Sequence, residues 1–282
     1  GEILMYQALQ SIETYSIYVI LIIYFLAMLV YWLAARANRG AKFAYVLSLI
    51  GWSGNTVALI ARTMRAQRLP LSNGYEFIIA FCWAIVLILL YSEFRFKLKM
   101  LGAFVMPIPF LLISYVIMLM APGETAIRAI PPALKSYWLV FHVITAILAY
   151  GAFAVSFGLG LMYILKTYYE ENVLKVELRL PPAMVLDELS YKIIIFGFSF
   201  LTLVIITGAI WANYAWGTYW SWDPKETWSL ITWIIYAGYL HARLMLEWKG
   251  KRVAWLAILG FVAVLFTFFG VNYLLPGLHS YA

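Results

Sequence analysis

The chain has 282 residues, 65% of them hydrophobic and only 12% charged, with a formal net charge of +7. A soluble domain of this length would need far more polar surface to stay in water, so the composition excludes one. It calls for repeated bilayer-spanning helices of about 20 mostly apolar residues, and the positive balance reads as an orientation signal rather than a nucleic-acid surface.

Eight spans are predicted in chain order, near Tyr15–Ala35, Ala41–Ala61, Tyr75–Tyr91, Leu101–Met120, Tyr137–Tyr163, Tyr191–Asn213, Thr227–Arg243 and Val253–Leu275. The expected fold is an all-α polytopic membrane protein, a single transmembrane domain over residues 1–282, without internal repeat or low-complexity linker. The first long apolar run is flanked as a true span rather than as a cleavable leader. The fifth is long enough to project beyond the membrane. The one cysteine, Cys82, sits inside the third span. One thiol forms neither an internal disulfide nor a redox pair, and it reads as a small buried hydrophobe.

The connections carry the orientation. Four of them hold Arg36, Arg39 and Lys42; Arg95, Lys97 and Lys99; Lys166, Lys175, Arg179 and Lys192; and Arg243, Lys249, Lys251 and Arg252, fourteen of the twenty basic residues. By the positive-inside rule these four face inward and both termini face outward. The connection between spans two and three breaks the trend, with Arg62, Arg65 and Arg68 ahead of Pro70-Leu-Ser-Asn-Gly-Tyr-Glu76. Arginines there suit pairing with a carboxylate, or else snorkelling at a helix end. The inner connection Lys166–Asp187 mixes acids and bases around Pro181 and Pro182 and reads as a solvated or surface-lying helix.

The loop between spans six and seven is the most informative segment. Residues 211–233 hold six of the twelve tryptophans, Trp211, Trp216, Trp220, Trp222, Trp228 and Trp233. An interfacial belt uses one or two aromatics per helix end. This density instead makes an apolar surface fit to cover a planar macrocycle. Gly217 permits a tight turn. Asp223-Pro224 suits a helix N-cap, with Glu226 in the first turn.

Only three histidines occur, His142, His241 and His279. His142 lies just inside the outward end of span five, and His279 follows the outward end of span eight. Two imidazoles beside an aromatic wall suit a bis-histidine heme iron site. His241 lies 13 residues beyond Trp228, roughly 20 Å deeper at about 1.5 Å per residue. An ionisable group at that depth is costly and usually functional; an interhelical hydrogen bond is the bland alternative. If it binds heme, this chain supplies no second intramembrane histidine. With heme in view, Arg62, Arg65 and Arg68 also become candidates for its propionates.

The run Trp216-Gly-Thr-Tyr-Trp-Ser-Trp-Asp-Pro-Lys-Glu-Thr-Trp-Ser-Leu-Ile-Thr-Trp233 closely resembles the WWD signature of the CcsA/ResC family of system II cytochrome c biogenesis. Pro70–Glu76, Trp138–Val143, Tyr239-Leu-His-Ala-Arg243 and Gly277-Leu-His-Ser-Tyr281 extend the resemblance over about three-quarters of the chain. The Asp-Pro-Lys-Glu-Thr-Trp continuation and the C-terminal Leu-His-Ser-Tyr look like CcsA rather than the related CcmC and CcmF.

The resemblance implies that His142 and His279 are paired outer ligands flanking the WWD loop. It also implies that His241 is one of two transmembrane ligands, the other coming from the membrane partner CcsB. It further implies a holocytochrome c synthase, or heme lyase, component. Ferrous heme b, better called substrate than cofactor, passes from His241 to the outer site under Trp216, Trp220, Trp222 and Asp223. There the CxxCH thiols of apocytochrome c add to the heme vinyl groups. The protein would lie in the lipid of a bacterial cytoplasmic membrane, or of a thylakoid membrane in a plastid. Rival readings are a heme transporter or chaperone without synthase activity, a b-type transmembrane electron carrier, and a solute transporter.

Overall fold

The computed structural model describes residues 1–37, 39–171 and 180–275, and its regular elements there are all helical. Packing groups the chain into two compact units, Gly1–Ala129 and Ile130–Ala282, whereas the sequence reading treats 1–282 as one membrane domain.

The first unit contains α1 (Glu2–Ala37), α2 (Ala41–Ala66), α3 (Gly74–Phe96), α4 (Gly102–Val105), α5 (Pro107–Met118) and α6 (Pro122–Thr125). In α1 the buried residues Ile17, Ile20, Tyr24, Ala27, Tyr31 and Ala34 recur at intervals of three and four, with Met28 beside Ala27, which places them on one face. The helix has 36 residues, about 54 Å at 1.5 Å each, and starts well before the predicted Tyr15. The predicted fourth span, Leu101–Met120, is instead two helices joined at Met106. Pro107 takes the first position of α5, where its missing N–H costs no hydrogen bond.

The second unit begins with a short turn and continues through α7 (Tyr137–Glu171), α8 (Ala183–Trp216), α9 (Pro224–Leu244) and α10 (Lys251–Leu265). A π-helical turn (Phe266–Gly270) and α11 (Val271–Leu274) follow. With 35 residues, about 52 Å, α7 outruns a hydrocarbon core of about 30 Å, as expected of the fifth helix. The connection read as a surface-lying helix is different where it is described. Its ends prolong α7 to Glu171 and α8 back to Ala183, and Asp187 is buried.

Four helices meet where Phe153 of α7 stacks on Tyr236 of α9, ring centroids 3.6 Å apart and planes 9° apart. Each ring lies over a glycine. A Cβ on Gly197 of α8 would come within 2.6 Å of Phe153, and one on Gly260 of α10 within 2.5 Å of Tyr236. Small residues that admit close approach are how apolar helices pack where lipid offers no hydrophobic contrast.

Among the described residues six stretches are long and apolar enough to cross a bilayer: α1, α2, α3, α7, α8 and Lys251–Leu274. The chain is an integral membrane protein. Of the eight predicted spans, Gly102–Met118 falls short in length, and α9, with Lys225 and Glu226 in its first turn and His241 and Arg243 in its last, is not among the six.

Candidate functional site

His142 projects from the second turn of α7 onto α8. Its Nδ1 lies 2.9 Å from the carbonyl oxygen of Val204. A helical carbonyl can only accept, so Nδ1 carries the proton and donates it, and Nε2 is the nitrogen whose lone pair suits a metal. The ring stacks on Trp211, centroids 6.0 Å apart and planes 22° apart. Trp211 is buried at 1% exposure and meets Trp216 edge-on at 5.0 Å. A histidine and two indoles thus form one aromatic wall at the α7–α8 contact.

Gly217 ends α8 at φ 76°, donating its N–H to the Asn213 carbonyl at 2.9 Å. This left-handed turn is the one the sequence suggests for it. Beyond it Trp220 and Trp222 pack edge to face, 5.7 Å apart with planes at 89°. Trp222 has φ 60°, a left-handed conformation that costs a bulky residue about 1–3 kcal/mol, and it is 68% exposed. A strained backbone that turns a large indole outward costs stability without burying surface.

Asp223 caps α9 as anticipated. Its side chain accepts from Lys225 N–H at 3.0 Å, and Glu226 reaches back to the N–H groups of Asp223 at 3.2 Å and Ser221 at 2.8 Å. Glu226 therefore holds the loop from below. The remaining tryptophans pack within the unit: Trp228 against Phe266 at 4.2 Å, and Trp233 donating to Thr202 Oγ1 at 2.9 Å. The six indoles do not form one platform. Trp211 lies against His142 with Trp216 behind it, while Trp220 and Trp222 pair with each other, Trp220 half-buried and Trp222 exposed.

His241 points away from the packed core. Tyr239, Ala242 and Arg243 around it are buried, but His241 is exposed. Among the described residues its imidazole makes no hydrogen bond, so the bland alternative of an interhelical bond within this chain has no support there. Arg243, two residues on, bonds Asp187 at 2.5 Å and lies over Tyr191. His279 lies outside the described residues.

In the first unit Arg62, Arg65 and Arg68 meet carboxylates of this chain, one of the partners the sequence suggests for them. Arg62 is 2% exposed. Its Nε donates to Glu76 at 3.0 Å, and its other nitrogens donate to Glu13 at 3.4 Å and to the Thr125 and Ala126 carbonyls at 2.8 and 3.3 Å. Arg65 pairs with Glu13, and Arg68 with Glu76 at 2.8 Å. Asn73 caps α3 through Glu76 N–H at 2.8 Å. The Pro70–Glu76 motif is therefore a cap whose Glu76 also anchors two arginines.

Sequence reasoning missed Val204 and Gly208, the α8 residues under His142. A glycine inside a helical run does mark a need for space, but which neighbour fills that space is visible only in three dimensions.

The cytochrome c assembly protein model matches residues 71–279, a stretch that contains the His142 wall, the tryptophan loop, His241 and His279. The chain belongs to the cytochrome c assembly protein family. Within it the chain is similar to the cytochrome c biogenesis protein CcsA of Guillardia theta, at 37% identity over 91% of this chain and 92% of that protein. The CcsA of Microcystis aeruginosa is 34% identical over 97% of this chain and 98% of its own length, and that of Gloeobacter violaceus 35% over 90% and 91%. Among solved structures the cytochrome c heme lyase CcmF shares the fold, with a TM-score of 0.71 at 16% identity, covering 92% of this chain and 46% of that one. This chain spans under half the length of that structure. It is a CcsA-type cytochrome c biogenesis protein, and heme handling is the property its family implies.

Proposed function

We propose that this protein presents heme for thioether attachment to apocytochrome c, working with the membrane partner CcsB. The observation that carries the reading is the His142 ring, whose Nδ1 lies 2.9 Å from the Val204 carbonyl beside Trp211. That bond fixes the tautomer with the proton on Nδ1 and the lone pair on Nε2, the arrangement metal-binding histidines use. A porphyrin supplies four of the six ligands of its iron, so two imidazoles suffice. In this reading the second is His279.

Each residue then has a task. His142 and His279 would supply the two imidazole ligands that the iron of the substrate heme still needs. Trp216, Trp220 and Trp222 cover the macrocycle, and the Asp223–Glu226 cap holds their loop against α9. His241, exposed on α9, meets iron together with a histidine of CcsB on the inner side of the path. The bond-forming step is an addition. Each cysteine thiol of a CxxCH segment adds sulfur to the α carbon of a vinyl group and its hydrogen to the β carbon, so nothing leaves and no electrons change hands. The protein contributes position and orientation rather than an acid or a nucleophile.

The test is a reduced absorption spectrum with a pyridine hemochrome assay, on protein purified alone and with CcsB. His142→Ala, His279→Ala and His241→Ala are measured beside the wild type, with mass analysis of a co-expressed apocytochrome. Heme b should fall in all three variants, the His241-dependent part should need CcsB, and covalent product should vanish. Heme-free protein from heme-replete cells in both preparations would refute the reading. Heme without covalent product would leave delivery alone.

A further inference from the structure

We infer that Gly208 is a positioning residue for the outer heme site: its missing side chain is the seat that lets the His142 imidazole lie against α8 in its ligand orientation. This rests on the reading of His142 as an iron ligand and extends it to a residue that touches no substrate.

Three observations converge. A Cβ built on Gly208 would lie 2.8 Å from Cε1, 2.9 Å from Nδ1 and 3.7 Å from Nε2 of His142, and these are its three nearest neighbours. The clash is therefore with this one ring. Second, Gly208 lies in the interior of α8 with ordinary helical geometry, so no positive φ requires glycine. Alanine would favour such a position by about 0.5–1 kcal/mol. Third, the ring edge over Gly208 is the edge whose Nδ1 donates to Val204, one helical turn earlier, at 2.9 Å, while Trp211, three residues later, stacks on the ring face.

Val204, Gly208 and Trp211 thus share one face of α8, at spacings of four and three, and act on one imidazole. The carbonyl sets the tautomer, the glycine sets the depth and the indole sets the plane. A methyl group at 208 would push out the far end of a side chain rather than the backbone. The fold should tolerate it while the Nδ1 bond breaks and Nε2 swings off the iron axis. Losing a partner that orients a ligating histidine usually costs about 10–100-fold in affinity.

The experiment uses the complex with CcsB and scores the His142-dependent heme, the difference between wild type and His142→Ala in the hemochrome assay, with the reduced spectrum recorded alongside. Gly208→Ala should lower that heme by about tenfold or more and change the spectrum of what remains. A second background separates seating from folding. In His142→Gly supplied with imidazole, the diffusible ring is free to reseat, and adding Gly208→Ala should change heme content less than about twofold.

Native heme content and spectrum in Gly208→Ala would overturn the proposal while leaving the ligand reading intact. An equal loss in the imidazole-supplied background would also overturn it, because Gly208 would then serve the fold. Unchanged heme in His142→Ala would instead remove the ligand reading itself.

Discussion

His142 and Arg62 are both polar side chains set into helix contacts, and they differ in how completely this chain satisfies them. Arg62 has its guanidinium bonded to two carboxylates and two carbonyls at 2% exposure. Its removal would leave Glu76, itself 0% exposed, with only Arg68 to balance it, and Glu13 with Arg65. Breaking a buried ion pair from one side costs about 3–5 kcal/mol. Arg62→Ala should therefore lower the thermal transition in detergent by several degrees. Arg62→Lys should recover only part, since a single ammonium cannot reproduce a fork directed at several acceptors. Heme bound per folded molecule should stay the same in both. A variant that keeps full stability but loses heme would reassign Arg62 from scaffold to ligand contact. These residue types stood out in the sequence as misplaced charge, yet their partner Glu13 lies in α1, 49 residues away, and no local pattern links the two.

At the scale of elements, α9 shows what sequence patterns convey and where they stop. Its start was legible because capping is local: Asp223, Pro224 and Glu226 declare it within four residues. Its faces were not, because helix contacts are set by partners distant in the chain. Ile234, Gly238, His241 and Met245 are all exposed, at spacings of four, three and four, and form one stripe along the helix. Gly238 stands one turn before His241, and a Cβ there would meet nothing within 4 Å among the described residues. An open-sided glycine inside a helix costs stability without relieving any contact with them. If the stripe receives a porphyrin edge and a partner helix at His241, a large side chain at 238 should block both. Gly238→Leu should lose the CcsB-dependent heme while retaining expression and thermal stability, and Gly238→Ala should lose less. Full heme in Gly238→Leu would mean that the approach to His241 lies elsewhere. The same limit on local patterns explains why the six tryptophans, read as one surface, divide into a wall at His142, the Trp220–Trp222 pair and two packing residues.

For the whole molecule the reading of the tryptophan loop depends on which way the chain sits in the bilayer. Fourteen of the twenty basic residues mark four connections as inner. The chief exception, Arg62, Arg65 and Arg68, is engaged by Glu13 and Glu76, so these arginines act as packing groups rather than as a free aqueous cluster. That removes the strongest objection to placing both termini and the 211–233 loop outside. The native Cys82 is buried and should resist a membrane-impermeant maleimide, so single cysteines can be added without removing it. Thr218 and Lys249 are both exposed, one in the tryptophan loop and one in the connection after α9. Thr218→Cys should label in intact cells, and Lys249→Cys only once the membrane is opened. The reverse pattern would put the aromatic loop and His142 on the side where heme is made rather than where apocytochrome is met, and the synthase reading would fall with it. The expected pattern would tie the wall at His142 to the compartment in which thioether bonds form, with α9 running from that side to the other.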